Sequence, residues 1–103
     1  MKIEYHLLKK PDSVTLEAFA DLHGLVMEVH ERDTTETVMK FYAHFKHTDV
    51  RNGNLMVGGA IGNGKDAASA IESYKNKIAG KLLVINILST RQEVMCPEKW
   101  ASS

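Results

Sequence analysis

The sequence predicts an α+β fold, a two-layer sandwich in which two helices cover one face of an antiparallel-rich sheet, in the order β-α-β-β-β-α-β. Several segments alternate apolar and polar residues with the two-residue period of a strand, and two others repeat apolar residues at helical spacing. The pair Asn52-Gly53 is typical of a hairpin turn. A length of 103 residues, with 44% hydrophobic and 25% charged residues, favours a single domain over 1–103.

The first two elements are a strand and a short helix. Residues 2–8 alternate apolar and polar side chains, which predicts a strand that ends before Pro11. Ser13 or Thr15 should then cap the helix, because a side-chain oxygen can accept a hydrogen bond from the first free amides. Gly24 should end this helix, because glycine adopts the left-handed conformation without strain.

Residues 25–33 and 40–50 predict two further strands. In the first, Leu25, Met27 and Val29 share one face and Glu28 and His30 the other; in the second, Phe41, Ala43 and Phe45 lie opposite Tyr42, His44 and Lys46. Residues 54–61 should pair antiparallel with the second of these strands through a turn at Asn52-Gly53, because that turn needs positive φ angles that these two residues tolerate.

Residues 58–67, "GGAIGNGKDA", are similar to two phosphate-binding loops. A P-loop requires Ser or Thr after its lysine to bind magnesium, whereas Asp66 follows Lys65 here. Both loops also belong to parallel sheets, and this segment follows a predicted hairpin. We therefore interpret the glycines as a tight strand-to-helix turn and Asp66 as the N-cap of the second helix.

The C-terminal third completes the fold. The second helix should end at Gly80, and residues 81–88 form an apolar segment of strand length. An edge strand is expected to continue to Cys96, followed by a tail over residues 97–103. Trp100 in this tail should pack on the core, because a large aromatic side chain dominates the burial of a small domain.

The segment "LEAFADLHGL" is a predicted helix that ends at a glycine, and "GNGKDAASA" is a G-x-G turn that opens the second helix. Through these two segments, residues 14–79 resemble a double-stranded-RNA-binding domain, with extra strands at 2–8 and 81–88 outside it. The resemblance implies RNA binding near the start of the second helix, with Lys65, Lys75 and Lys77 as candidate residues. The lysine positions of the family fall on Ala67, Ala68 and Ile71, which removes phosphate contacts.

Two further resemblances are looser, and the first concerns function whereas the second concerns the genomic setting. The strand-helix-strand ending resembles antitoxins of the HicB type. The segments "KFYAHFKHTDVRNGNLMVGGAIGNG", "AIESYKNKIAGKLLVI" and "RQEVMCP" resemble small uncharacterised proteins of phages and prophages. This second resemblance implies an accessory protein that binds and modulates a host factor.

Composition excludes several functional classes. Thirteen basic residues balance thirteen acidic ones, so no overall field favours nucleic acid or anionic membranes. No segment is long and apolar enough to span a membrane, and we expect a cytoplasmic protein. The lone Cys96 excludes an internal disulfide and a cysteine-based zinc site.

His44 and His47 lie an odd number of positions apart on a predicted strand, so they should point to opposite faces.

We therefore expect a non-catalytic binding module with no cofactor and no metal site. The residues predicted to bind a protein are Tyr42, His44, Lys46, Met56 and His30. They should lie on the side of the sheet that the helices leave uncovered, which also carries Glu28. Aromatic residues and methionine among polar groups favour a contact with a protein partner or a second copy of the chain. Binding of double-stranded RNA and an antitoxin role are the alternatives.

Overall fold

The computed structural model describes residues 1–5, 13–34, 37–52, 56–86 and 90–101, and it confirms the α+β class and the antiparallel pairing of the strands. The elements, in chain order, are α1 (Leu16–His23), β1 (Met27–Glu31), β2 (Phe41–Phe45), β3 (Thr48–Asn52), β4 (Met56–Gly58), β5 (Gly62–Gly64), α2 (Ala67–Ile78), β6 (Leu82–Ile85) and β7 (Gln92–Met95). These strands are distributed over two antiparallel sheets, in the orders β1-β2-β5 and β4-β3-β6-β7.

The second sheet exists because the long strand predicted at 40–50 is interrupted at Lys46 and His47. His47 has a φ of 57°, so the backbone turns between β2 and β3. The returning chain is interrupted as well, between β4 and β5. As a result β3 pairs with β4, as the predicted hairpin requires, while β2 pairs with β5. Gly53, the second residue of the predicted turn, lies outside the described residues.

The two ends of the chain differ from the prediction. Residues 1–5 form no strand, and the rest of the predicted strand at 2–8 lies outside the described residues. At the other end, β6 and the predicted edge strand β7 pair with each other. The segment predicted as a tail is held to the body of the protein: Trp100 Nε1 donates to the Lys75 carbonyl at 2.8 Å, and the Trp100 ring meets Phe19 edge-on at 5.3 Å. The predicted packing of Trp100 is confirmed.

Both helices begin and end where their capping residues predict. The Thr15 side chain accepts a hydrogen bond from the Ala18 amide at 3.1 Å, and Gly24 ends α1 with a φ of 64°. Asp66 Oδ1 accepts from the Ser69 amide at 2.7 Å, and Gly80 follows α2 with a φ of 71°. That hydrogen bond lowers the pKa of Asp66, and nearby Lys65 lowers it further.

The core lies where both helices meet strands of the two sheets. Its buried members are Leu16, Phe19, Phe45, Val50, Tyr74, Ile78, Leu83 and Cys96. Phe45 of β2 and Tyr74 of α2 pack edge-on with ring centroids 5.5 Å apart. One core therefore joins the two sheets. Among the described residues, no helix is both long and apolar enough to span a membrane.

Gly62 and Gly64 lie in β5, directly beneath α2, and not in the tight turn that the sequence predicted. Their φ angles are ordinary, but a Cβ atom on Gly62 would lie 2.1 Å from the Tyr74 amide nitrogen, and one on Gly64 would lie 2.4 Å from that of Ala70. The glycines are required because α2 packs backbone to backbone on this strand. The predicted conformational reason was wrong, because the constraint is close approach.

Candidate functional site

The candidate site is the face of the sheet β1-β2-β5 that points away from α2. Ala43 pairs with Gly62 on the covered side, so the neighbouring pair Tyr42 and Asn63 lies on the other side. The register of β1 with β2 adds further residues to that side, because Glu28 pairs with His44 and His30 with Tyr42. We call this surface the ring face; it consists of Glu28, His30, Arg32, Tyr42, His44 and Asn63.

Three aromatic rings lie nearly parallel on the ring face. The His30 and Tyr42 centroids are 4.7 Å apart at an interplanar angle of 15°, and His30 and His44 are 5.4 Å apart at 16°. Tyr42 and His44 are 6.2 Å apart at 19°. These rings are half-buried, with His30 in contact with both neighbours. Because the rings stack on one another, a ligand would meet their edges and not their faces.

Arg32 fixes one end of this stack. Its guanidinium carbon lies 4.7 Å from the centre of the Tyr42 ring, a cation–π contact. Nη1 donates to the Met39 carbonyl and Nη2 to Asn63 Oδ1, each at 2.7 Å. The planar guanidinium therefore links β1, the segment before β2, and β5 in one arrangement.

The other end of the ring face gathers three groups that can bind a cation. Glu28, His30 and His44 each offer one ligand atom, and these atoms all lie within 4.8 Å of one another. His30 Nε2 is 3.9 Å from Glu28 Oε1, and both side chains are more than one-third exposed. In addition, His44 Nδ1 lies 3.0 Å from the Phe45 carbonyl oxygen.

The structure brings together three of the five residues predicted for the protein-binding face: His30, Tyr42 and His44. Lys46 lies beyond the end of β2, in the turn, where it borders a separate pocket of about 210 Å³ together with His47 and Ile85. The side chain of Met56 lies outside the part of the structure that is described, so its place on this face stays a prediction.

Two residues of the ring face, Arg32 and Asn63, were not predicted. Arg32 lies in the strand predicted over 25–33, but no face was predicted for it, and Asn63 was interpreted as part of a turn. Period-two alternation from His30 would have placed Arg32 on the correct face. Asn63 could not have been found this way, because a three-residue strand with two glycines has almost no apolar pattern.

Two of the lysines predicted for RNA binding lie on α2, and the third lies before it. Lys77 Nζ donates to the Ile61 carbonyl at 2.7 Å, and Lys75 forms an ion pair with Glu72 at 3.8 Å. Lys65 lies before the helix, beside Asp66. Two of the three candidate lysines are thus engaged within the molecule, and an acidic side chain accompanies the third.

Comparison of the chain with protein-family models, with curated proteins and with solved structures finds no match in any of the three.

Proposed function

We propose that this chain is a non-catalytic binding module that engages a protein partner through the ring face. The observation that supports the proposal is the stack of His30, Tyr42 and His44 on the side of the sheet opposite α2. Tyrosine and arginine are enriched where protein interfaces concentrate their binding energy, and Tyr42 lies beneath Arg32 on this face. In the phage setting that the sequence resemblance implies, the partner is a host factor.

Preorganisation favours this surface as a docking site. The rings hold one another, and Arg32 is already fixed by two hydrogen bonds. Fewer side chains therefore have to be immobilised when a partner binds, which lowers the entropic cost of association. Single-stranded nucleic acid fits this face less well, because base stacking needs free ring faces and these rings stack on each other.

Truncation of Tyr42 tests the proposal. The untagged chain is first used to capture its partner, and that partner is then identified and purified. Calorimetry measures the affinity of the purified partner for wild type, Tyr42→Ala and Tyr5→Ala. Tyr5 is the matched control, because it is the same residue type and is 86% exposed on another segment. We expect Tyr42→Ala to weaken binding about tenfold or more, and Tyr5→Ala about twofold or less.

Other outcomes contradict the proposal in distinct ways. If Tyr42→Ala and Tyr5→Ala bind the partner with equal affinity, the partner does not contact the ring face at Tyr42. A concentration-dependent dimer in sedimentation, weakened by Tyr42→Ala, would replace the partner with a second copy of the chain. Salt-dependent binding to duplex RNA that is lost in Lys65→Glu would restore the RNA alternative.

A further inference from the structure

We propose that Glu28, His30 and His44 form a binding site for a divalent transition-metal cation such as Zn²⁺. The sequence predicted no metal site, because His44 and His47 lie an odd number of positions apart on one predicted strand. The inference concerns the ring face but does not rest on the proposed protein contact.

The pairing of β1 with β2 places the three proposed ligand residues close together on one face. Glu28 and His30 are two positions apart on β1 and point to the same face, and His44 pairs directly with Glu28 across the β1–β2 ladder. Hydrogen-bonded strands hold these three Cα positions rigidly, so only side-chain torsions must adjust. The ligand atoms lie within 4.8 Å, whereas tetrahedral zinc at ordinary bond lengths needs them about 3.3 Å apart. Half-exposed side chains can close that difference by rotation.

The hydrogen bond of His44 supports the assignment independently. A carbonyl oxygen only accepts, so His44 Nδ1 must donate its proton to the Phe45 carbonyl at 3.0 Å. The lone pair of this imidazole is then on Nε2. Histidines that bind metals commonly donate their other ring N–H to a carbonyl or carboxylate, which fixes both the tautomer and the ring orientation.

The chemistry of the three ligand groups indicates which cation the site would bind. Two imidazoles and one carboxylate suit zinc and its neighbours in the first transition row, whereas calcium and magnesium prefer oxygen ligands throughout. Partial exposure of Glu28 and His30 leaves a solvent-facing position for a fourth ligand. The metal would also neutralise the Glu28 carboxylate more effectively than the His30 ring 3.9 Å away, which is charged only when it is protonated.

Zinc titration of the chain alone, purified without an affinity tag, tests the site by competition with a chromophoric chelator. We expect micromolar or tighter binding of one equivalent. His30→Ala, His44→Ala and Glu28→Gln should each weaken it about tenfold or more. His47→Asn is the matched control, because His47 is an exposed histidine outside the cluster and asparagine tolerates its φ of 57°. This control should change affinity about twofold or less.

Nitrogen-15 NMR of the wild-type histidines gives a readout that does not depend on variant folding. Zinc should perturb His44 Nε2 while Nδ1 keeps its proton. The inference is overturned if millimolar zinc does not bind, if the three ligand variants bind as tightly as wild type, or if zinc perturbs His47 and not His30 and His44. Because no partner protein is present, such a failure leaves the proposed protein contact intact.

Discussion

The two faces of the sheet β1-β2-β5 are made by the same strands, yet we expect them to tolerate substitutions very differently. On the covered face, Ala43 and Phe45 are fully buried and the backbone of α2 lies against Gly62 and Gly64. On the ring face, side chains are half-buried and make polar, stacking and cation–π contacts. We therefore expect the covered face to contribute most of the stability of the fold, whereas recognition is the role that we propose for the ring face. This difference can be tested by substitution on each side.

The largest effect is expected from Gly62→Ala. The new methyl group would lie 2.1 Å from the Tyr74 amide nitrogen and 2.3 Å from the Ala70 carbonyl oxygen, so α2 must move away from β5. We expect a loss of about 4 kcal/mol in the free energy of unfolding, or a chain that does not fold. Gly58→Ala is the matched control, because a Cβ there meets nothing within 4 Å. Urea unfolding of both variants checks the prediction, and similar midpoints would contradict the backbone packing of α2.

A pair of aromatic truncations on β2 compares the two faces directly. Phe45 is fully buried and packs edge-on against Tyr74, so Phe45→Ala should cost about 3 to 4 kcal/mol. Tyr42, three residues earlier on the opposite face, is half-buried, and Tyr42→Ala should cost about 1 kcal/mol. Thermal or urea unfolding measures both. A Tyr42→Ala loss as large as that of Phe45→Ala would mean that the ring face is structural.

High pH should destabilise the hydrophobic core, which contains Tyr74 and Cys96, without any substitution. Burial raises the pKa of Cys96 from 9.0 and that of Tyr74 from 10.0, each to about 12. The folded state favours the neutral forms, so their contribution to stability is complete below the ordinary pKa values and is lost as the pH rises toward 12. Between about pH 8 and pH 10.5 we expect a loss of about 3 kcal/mol in the free energy of unfolding.

Urea unfolding at a series of pH values measures this loss, and Cys96→Ala separates the two groups. The variant should remain stable until near pH 10, where the Tyr74 contribution begins to fall. A flat pH dependence up to pH 11 in wild type would show that water reaches both groups in the folded state.

The smallest effect is expected from Arg32→Lys on the ring face. Lysine keeps the charge but cannot bridge the Met39 carbonyl and Asn63 with a planar fork, so we expect a loss below about 1 kcal/mol. The free energy of binding to the protein partner should decrease more than the free energy of unfolding, because the guanidinium that packs against the Tyr42 ring is lost. Calorimetry and urea unfolding of the same variant make that comparison. A larger effect on folding than on binding would assign Arg32 a structural role.

The sequence by itself determined the local features of this protein. Thr15 and Asp66 cap the two helices, Gly24 and Gly80 end them, and period-two alternation predicted that His30, Tyr42 and His44 share a face. These features depend on neighbours within a few residues, through hydrogen bonds, allowed φ angles and the pleat of a strand. Such preferences can be read from the chain directly.

The tertiary structure alone decided which distant segments meet. The turn at His47 separates β2 from β3, so the strands form two sheets. Gly62 and Gly64, which the sequence places in a turn, instead pack against the backbone of α2. The pairing of Glu28 with His44, on which the metal site depends, follows from the register between β1 and β2. Register is a long-range property set by which face is buried against the helix, so no single segment of the sequence contains it.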